Sequence, residues 1–340
     1  MDDITSATTL FCLIMSRLFS GQGLPHQIIG ADIISSFDIQ STSPYFPNLP
    51  RESRLAKTAR KTSEIIQSCQ HHNIVFGGGS LFSKYSSYKR RSILAKLAKI
   101  RKSRLFAFGV SIGPFKDKDQ QRKYCKLLSD FTLIVCRDKA SSTYFNLENM
   151  VQGHDMAWCL PKLIPLDASR TDKRVLVIAI SEQLAALALS ELSTLPAHFD
   201  EILFIAMDAN GAELHKALQE TFAKRFNIPT SSYYYREKNL ENVLEDIKNA
   251  NFLITSKLHG AVTAASYGTP FALFEYQEKC TDFLREVDIP ENLINFGDEK
   301  EFIAGIEKTY EYMSSQFISP ADNRGDEMIR LFNKMVSPNR

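Results

Sequence analysis

The chain has 340 residues, of which 44% are apolar, 24% charged and 11% aromatic, a length that suits two domains of ordinary size. This composition excludes a disordered, collagenous or repeat-dominated protein. Forty-one Lys and Arg stand against thirty-nine Asp and Glu, a net charge of +2, so any electrostatic message lies in local clusters.

An apolar stretch at 10–19 comes first. It is short, carries Arg17 and follows Asp2 and Asp3 rather than a basic segment, so it reads as neither a signal peptide nor a membrane span. Six cysteines (Cys12, Cys69, Cys125, Cys136, Cys159, Cys280) show no CxxC and no regular spacing. They argue against a disulfide framework and against a zinc site, and predict free thiols in a cytosolic protein.

Strand-like runs at 27–34, 73–76, 104–110 and 131–136 form a first set, and runs at 174–180, 201–207, 231–235, 251–255 and 271–274 a second. Continuous apolar runs such as Val175-Leu-Val-Ile-Ala-Ile180 are what a parallel sheet covered on both faces demands. Helical spacing lies between them, with Ile93, Leu94, Leu97 and Ile100 expected on one face. The repeated β-α order means an α/β protein. Pro161, Pro165 and a polar run at 167–172 set the domain break at 160–173. The expected organisation is a Rossmann-like domain over 1–162, a second over 173–318, and a final helix over 319–340 packing back across both. Two doubly wound domains facing a cleft would bind ligands at the carboxyl ends of their strands.

Four segments carry chemistry. In Asn73-Ile-Val-Phe-Gly-Gly-Gly-Ser-Leu-Phe82, a strand is expected to run into Gly77, Gly78, Gly79 and Ser80 and then a helix start, which offers free N–H groups to an anion. A tight strand-to-helix turn is the plainer reading. The segment is neither a Walker A loop nor GxGxxG. In Phe108-Gly-Val-Ser-Ile-Gly-Pro-Phe115, Gly113-Pro114 ends a strand, and Ser111 could turn its hydroxyl to a ligand. In Val135-Cys-Arg-Asp-Lys-Ala-Ser141, Arg137 has a guanidinium fork suited to a carboxylate or phosphate. The alternative makes Asp138 a helix N-cap and Arg137 half of a surface ion pair.

The fourth segment runs from Asn251 to Pro270. A strand meets a helix that starts near Leu258, is rich in small residues (Gly260, Ala261, Ala264, Ala265), and stops at Gly268. Lys257 and His259 therefore stand at a helix N-terminus, where dipole and cation together favour an anion. Downstream, Glu275, Tyr276 and Lys279 could line the same cleft. Nine Lys or Arg and no acid occupy residues 84–104. Such a run is a solvated helix face, or a surface for anionic membrane or a lipid diphosphate. Nucleic acid is not expected, because stacking aromatics and a net basic domain are missing.

Taken in order, these segments resemble the polysaccharide pyruvyl transferase family from about Ile74 to Phe283. The resemblance rests on the Gly77–Gly79 run, Ser111-Ile-Gly-Pro114, Arg137-Asp138 with Ser141, Asp155 after a short strand, Leu258-His-Gly260 with its Ala-rich helix, Gly268-x-Pro270 and Lys279. It implies a fold like the GT-B glycosyltransferases and a cytoplasmic bacterial enzyme of cell-surface polysaccharide biosynthesis, for capsule, exopolysaccharide or cell wall, working at the inner face of the membrane. Such an enzyme moves the enolpyruvyl unit of phosphoenolpyruvate onto two hydroxyls of a sugar, free or linked to a lipid diphosphate, as a cyclic ketal. No further cofactor and no metal are expected. The implied roles are His259 as acid or phosphate ligand, Arg137 and Lys257 as holders of carboxylate and phosphate, and Asp138, Asp155 or an N-terminal aspartate as base. Backbone and side-chain contacts to substrate fall to Gly77, Gly78, Gly79, Ser80, Ser111, Gly113, Leu258, Gly260, Glu275 and Lys279. Two features depart from the family pattern: Lys257 stands where arginine is usual, and the early strand with its Asn-x-Gly-Asp turn is incomplete, as if the chain were short at the front. A nucleotide-sugar glycosyltransferase, or a non-catalytic relative that binds glycan, would use the same fold.

Overall fold

A computed structural model describes residues 4–23, 73–166, 172–180, 195–207, 211–295 and 298–337. The run at 27–34, Cys69, Asp2 and Asp3 lie outside these residues. The chain divides into two compact units: Ala7–Met156 with Asp326–Arg340, and Ala157–Gly325 with Met1–Ser6.

In the first unit β1 (Asn73–Phe82), β2 (Arg104–Ile112), β3 (Leu133–Cys136) and β4 (Met150–Gln152) lie parallel and side by side in chain order. Helix α1 (Ile4–Gly21) precedes them; α2 (Tyr88–Ile100), α3 (Lys118–Leu128) and α4 (Lys139–Thr143) alternate with the strands. One sheet face buries Leu105, Ala107, Val110, Ile112, Ile134 and Cys136 against Ala95, Ala98, Leu127 and Leu128 of α2 and α3. On the other face Phe108 meets Phe332 of the last helix, α11 (Ala321–Val336), with ring centroids 6.2 Å apart, and Phe332 meets Phe19 of α1 at 5.0 Å. The apolar stretch at 10–19 is therefore core helix, with Leu10, Leu13, Ile14, Met15 and Leu18 buried.

The alternation along β2 slips once. Leu105 and Ala107 are followed on the same face by Val110 and Ile112, and the register to β3 shifts between Phe108 and Val110. Gly109 forms this bulge with φ +62°, and a Cβ there would stand 2.7 Å from Met156. A one-residue slip reverses which face each later side chain takes. Ser111 is thereby turned away from the α2–α3 side, to the face that Arg137 takes after Cys136.

Two local expectations are corrected. The glycines do not lead directly into a helix: β1 continues through them to Phe82, and α2 begins only at Tyr88. The glycines answer to α1 instead: a Cβ at Gly77 would overlap the Phe11 ring and one at Gly78 would lie 2.9 Å from the Phe11 Cβ. Helix α2 does not pack through Ile93, Leu94, Leu97 and Ile100 together. It buries Leu94, Ala95 and Ala98, because the alanines let it lie close to the sheet, and Ile93 and Ile100 are left 38% and 77% exposed.

The second unit opens with the short α5 (Leu160–Leu163) and holds β5 (Val175–Ala179), β6 (Glu201–Ala206), β7 (Thr230–Tyr234), β8 (Phe252–Thr255) and β9 (Phe271–Leu273), all parallel, in the order β7-β6-β5-β8-β9. Helices α6 (Gly211–Phe226), α7 (Leu240–Asn249), α8 (Leu258–Tyr267), α9 (Glu278–Glu286) and α10 (Glu299–Gln316) complete it. Leu176, Ile178, Phe204, Phe252 and Ile254 face Leu218 and Phe222 of α6 and Phe302 and Ile306 of α10. The intervening Val177, Ala179, Leu253 and Thr255 are equally buried, beneath α7 and α8. Both units are thus Rossmann-like, and the architecture is the GT-B-like α/β fold expected from the sequence. No helix among the described residues is long and apolar enough to cross a membrane.

Candidate functional site

Parallel sheets present their ligand loops at the carboxyl ends of the strands. In the first unit that edge carries Ser111 at the end of β2, Arg137 and Asp138 just past β3, and Asp155 past β4. They form one network. The Ser111 hydroxyl donates to Asp138 Oδ2 (2.6 Å) and accepts from Arg137 Nε (2.6 Å). Arg137 Nη1 donates to Asp155 Oδ2 at 3.1 Å, and the guanidinium is only 7% exposed. Asp138 also caps α4: its Oδ1 accepts from the Ser141 amide and hydroxyl, both at 2.8 Å. Ser141 Oγ in turn accepts from the Ile112 amide at 2.7 Å.

Asp138 is therefore an N-cap, yet Arg137 is no surface ion pair. A buried arginine bracketed by two carboxylates and a hydroxyl is a fixed cation whose orientation is determined. Arg137 Nη2 makes no hydrogen bond to a described residue, which leaves that edge of the fork for an anion. Beside it, burial pushes the Cys136 thiol up to about 12, with the Asp138 charge adding to the effect, so this thiol is no nucleophile near neutral pH.

The glycines divide by role. Gly77 and Gly78 accommodate Phe11, whereas Gly79, with φ +82°, has open space where a Cβ would stand. Ser80 next to it is exposed. Gly113 also has φ +82°, and the Tyr144 ring fills its Cβ position. Its glycine is explained by packing.

In the second unit the strand order reverses between β5 and β8, which is the switch point where open α/β sheets bind ligands. Lys257 and His259 stand there. Lys257 is the N-cap of α8, and Gly268 (φ +74°) closes the helix in a left-handed C-cap. Thr255 ties the two strand ends to the helix: its Oγ1 donates to the Ala179 carbonyl (2.8 Å) and accepts from the Lys257 amide (3.0 Å). A Cβ on Gly260 would come within 2.8 Å of that hydroxyl oxygen, so glycine at 260 lets α8 sit against β8. Lys257 is 9% exposed, Leu258 is buried and His259 half-buried. The start of α8 thus carries an ammonium and an imidazole, at the end of a helix whose dipole favours negative charge.

Sequence reasoning overlooked Thr255 and Gly109. An isolated glycine two residues before Ser111, inside an apolar strand, was the available signal for the bulge. Glu275 does not line the switch point as a free carboxylate. It is 3% exposed and accepts from Thr281 Oγ1 (2.5 Å) and the Asn295 amide (2.6 Å), clamping the end of β9 to α9 and to Asn295. Lys279 lies in the first turn of α9 with Nζ 5.2 Å from the Tyr276 ring centroid. No group of three or more His, Cys, Asp or Glu among the described residues is placed to hold a metal ion.

The polysaccharide pyruvyl transferase family matches residues 12–278, which include Ser111, Arg137, Asp138, Asp155, Lys257 and His259 and end one residue before Lys279. The chain belongs to the polysaccharide pyruvyl transferase family. It is therefore a transferase with a pyruvyl-transfer role in polysaccharide biosynthesis. No curated protein matches the chain. Among solved structures, it is similar to the UDP-N-acetylglucosamine 2-epimerase of Neisseria meningitidis bound to UDP-GlcNAc, at a TM-score of 0.59 and 12% identity over 98% of this chain and 96% of that one. The corresponding epimerase of Methanocaldococcus jannaschii gives 0.63 and 11% over 96% and 97%. HepE of Anabaena, in complex with UDP and glucose, gives 0.55 and 12% over 96% and 95%. At these identities the likeness is one of fold. Lys257 supplies a charge at this position without the fork of a guanidinium.

Proposed function

We propose that this pyruvyl transferase takes its enolpyruvyl unit from phosphoenolpyruvate and sets it on two hydroxyls of one sugar as a cyclic ketal, releasing inorganic phosphate. The observation that supports this most is Lys257 and His259 at the switch point of the second sheet, where a helix N-terminus, a cation and a titratable ring meet. A trianionic donor needs such a pocket. In the proposed sequence the acid, His259, protonates the enol CH2 carbon. The neighbouring carbon becomes electrophilic, a first sugar hydroxyl adds to it, and its proton passes to a carboxylate. The second hydroxyl then displaces phosphate from the same carbon and its proton leaves with the phosphate, which closes the ketal. Within the first unit, Arg137 keeps Nη2 donors that suit a carboxylate or phosphate oxygen. Asp138 and Asp155 are both candidates for the base: Asp138 holds Ser111 and the α4 cap, and Asp155 holds Arg137. The acceptor is a sugar of a cell-surface polysaccharide, carried on a lipid diphosphate, and the reaction runs in the cytoplasm at the inner face of the membrane.

Phosphate release from phosphoenolpyruvate in the presence of lipid-linked or aryl glycosides tests the reading. His259→Ala and Arg137→Ala should each lower turnover by about a hundredfold or more. Undiminished turnover in both variants would remove these residues from the site, and consumption of a UDP-sugar with no response to phosphoenolpyruvate would replace the donor.

A further inference from the structure

The helix α2 has an outer face that the fold of its own unit does not use. With Leu94, Ala95 and Ala98 buried, the opposite side of a 3.6-residue helix carries Lys89, Ile93, Lys96 and Ile100, spaced by four, three and four residues. Ile93 is 38% exposed and Ile100 77%; both lysines are exposed. Exposed β-branched residues in register with lysines are unusual on a solvated face. The loop before the helix adds Tyr85, 80% exposed, with the Lys84 ammonium 5.0 Å from its ring.

Cations on the other sides of α2 are already engaged. Arg91 lies over the Phe82 ring and donates to the Ser87 carbonyl at 3.1 Å, and Lys99 pairs with Asp130 at 2.9 Å. Lys89 and Lys96, by contrast, have no carboxylate partner among the described residues. No acid occurs anywhere in 84–104.

We propose that this outer face of α2 docks on an anionic lipid surface, with Ile93 and Ile100 entering the acyl boundary and Lys89 and Lys96 among the headgroups. Charge complementarity selects this occupant. A second copy would bring lysine against lysine, and a nucleic acid would find isoleucines where it needs stacking rings. A lipid surface takes both halves of the pattern: apolar side chains that gain by leaving water, and ammonium groups attracted to phosphate. The surface does not depend on the donor or on the ketal chemistry.

Co-sedimentation of the full chain with vesicles of phosphatidylcholine alone, and with vesicles containing phosphatidylglycerol, tests it. Binding is expected only to the second kind and should weaken as salt is raised. Lys89→Glu with Lys96→Glu should reduce the partition coefficient by about tenfold or more. Ile93→Ser with Ile100→Ser, at unchanged charge, should reduce it by about tenfold as well. Circular dichroism melting matched to the parent chain shows that both variants are folded. No sedimentation with anionic vesicles, equal binding to both kinds, or wild-type binding by either double variant would overturn the proposal.

Discussion

Arg137 and Lys257, the two cations proposed to hold phosphoenolpyruvate, are held differently by the fold. Arg137 is oriented by Ser111 and Asp155, so its charge and its hydrogen bonds are both fixed before any ligand arrives. Removing it leaves Asp155 and Asp138 without their cation. Arg137→Ala is expected to cost about 3 kcal/mol in urea unfolding, and Ser111→Ala about 1 kcal/mol. Lys257 has one ammonium at the start of α8, and Lys257→Arg would supply a fork there. That variant should lower the KM for phosphoenolpyruvate while leaving kcat near the parent value; a raised KM would mean that the pocket is shaped around lysine. Burial pushes the thiols of Cys12 and Cys136 up to about 12 from an unperturbed 9.0. The folded state keeps them neutral where the unfolded chain ionises, so their contribution is complete below pH 9 and is lost as pH rises toward 12. Urea midpoints should fall above about pH 9, and the fall should be shallower in Cys12→Ala with Cys136→Ala.

Single glycines determine how the strands present these side chains. The Gly109 bulge is what places Ser111 on the face of Arg137. Gly109→Ala would force a left-handed φ on a side chain that also meets Met156, and should cost about 1–3 kcal/mol along with much of the activity. Gly77→Ala should destabilise by a similar ~1–3 kcal/mol through Phe11, and pairing it with Phe11→Ala should return part of that loss in a double-mutant cycle. These packing reasons explain what could be read from sequence. Strand positions and the α8 caps followed from apolar runs, small residues and Gly268, all local signals. The close approach of α1 to the glycines is a contact between residues more than sixty positions apart, and no periodicity encodes it. The true face of α2 was equally hidden, since two alanines next to the sheet outweigh two isoleucines of larger apolar area.

For the whole molecule, the β-α alternation was enough to predict two Rossmann-like units. The switch point was not, because strand order depends on which edge each crossover chooses. Once β5 and β8 are neighbours, Lys257 and His259 acquire a meaning that their spacing alone lacked. The small net charge likewise conceals a division: exposed lysines on the outside of α2, and buried cations at strand ends. The central claim is that those strand-end cations bind phosphoenolpyruvate. Isothermal titration of phosphoenolpyruvate into the full chain, beside Lys257→Ala and Arg137→Ala, tests it most directly. Saturable binding by the parent chain, weakened about tenfold or more in each variant, is the predicted result. An absence of heat with phosphoenolpyruvate in a chain that binds UDP-GlcNAc would contradict it.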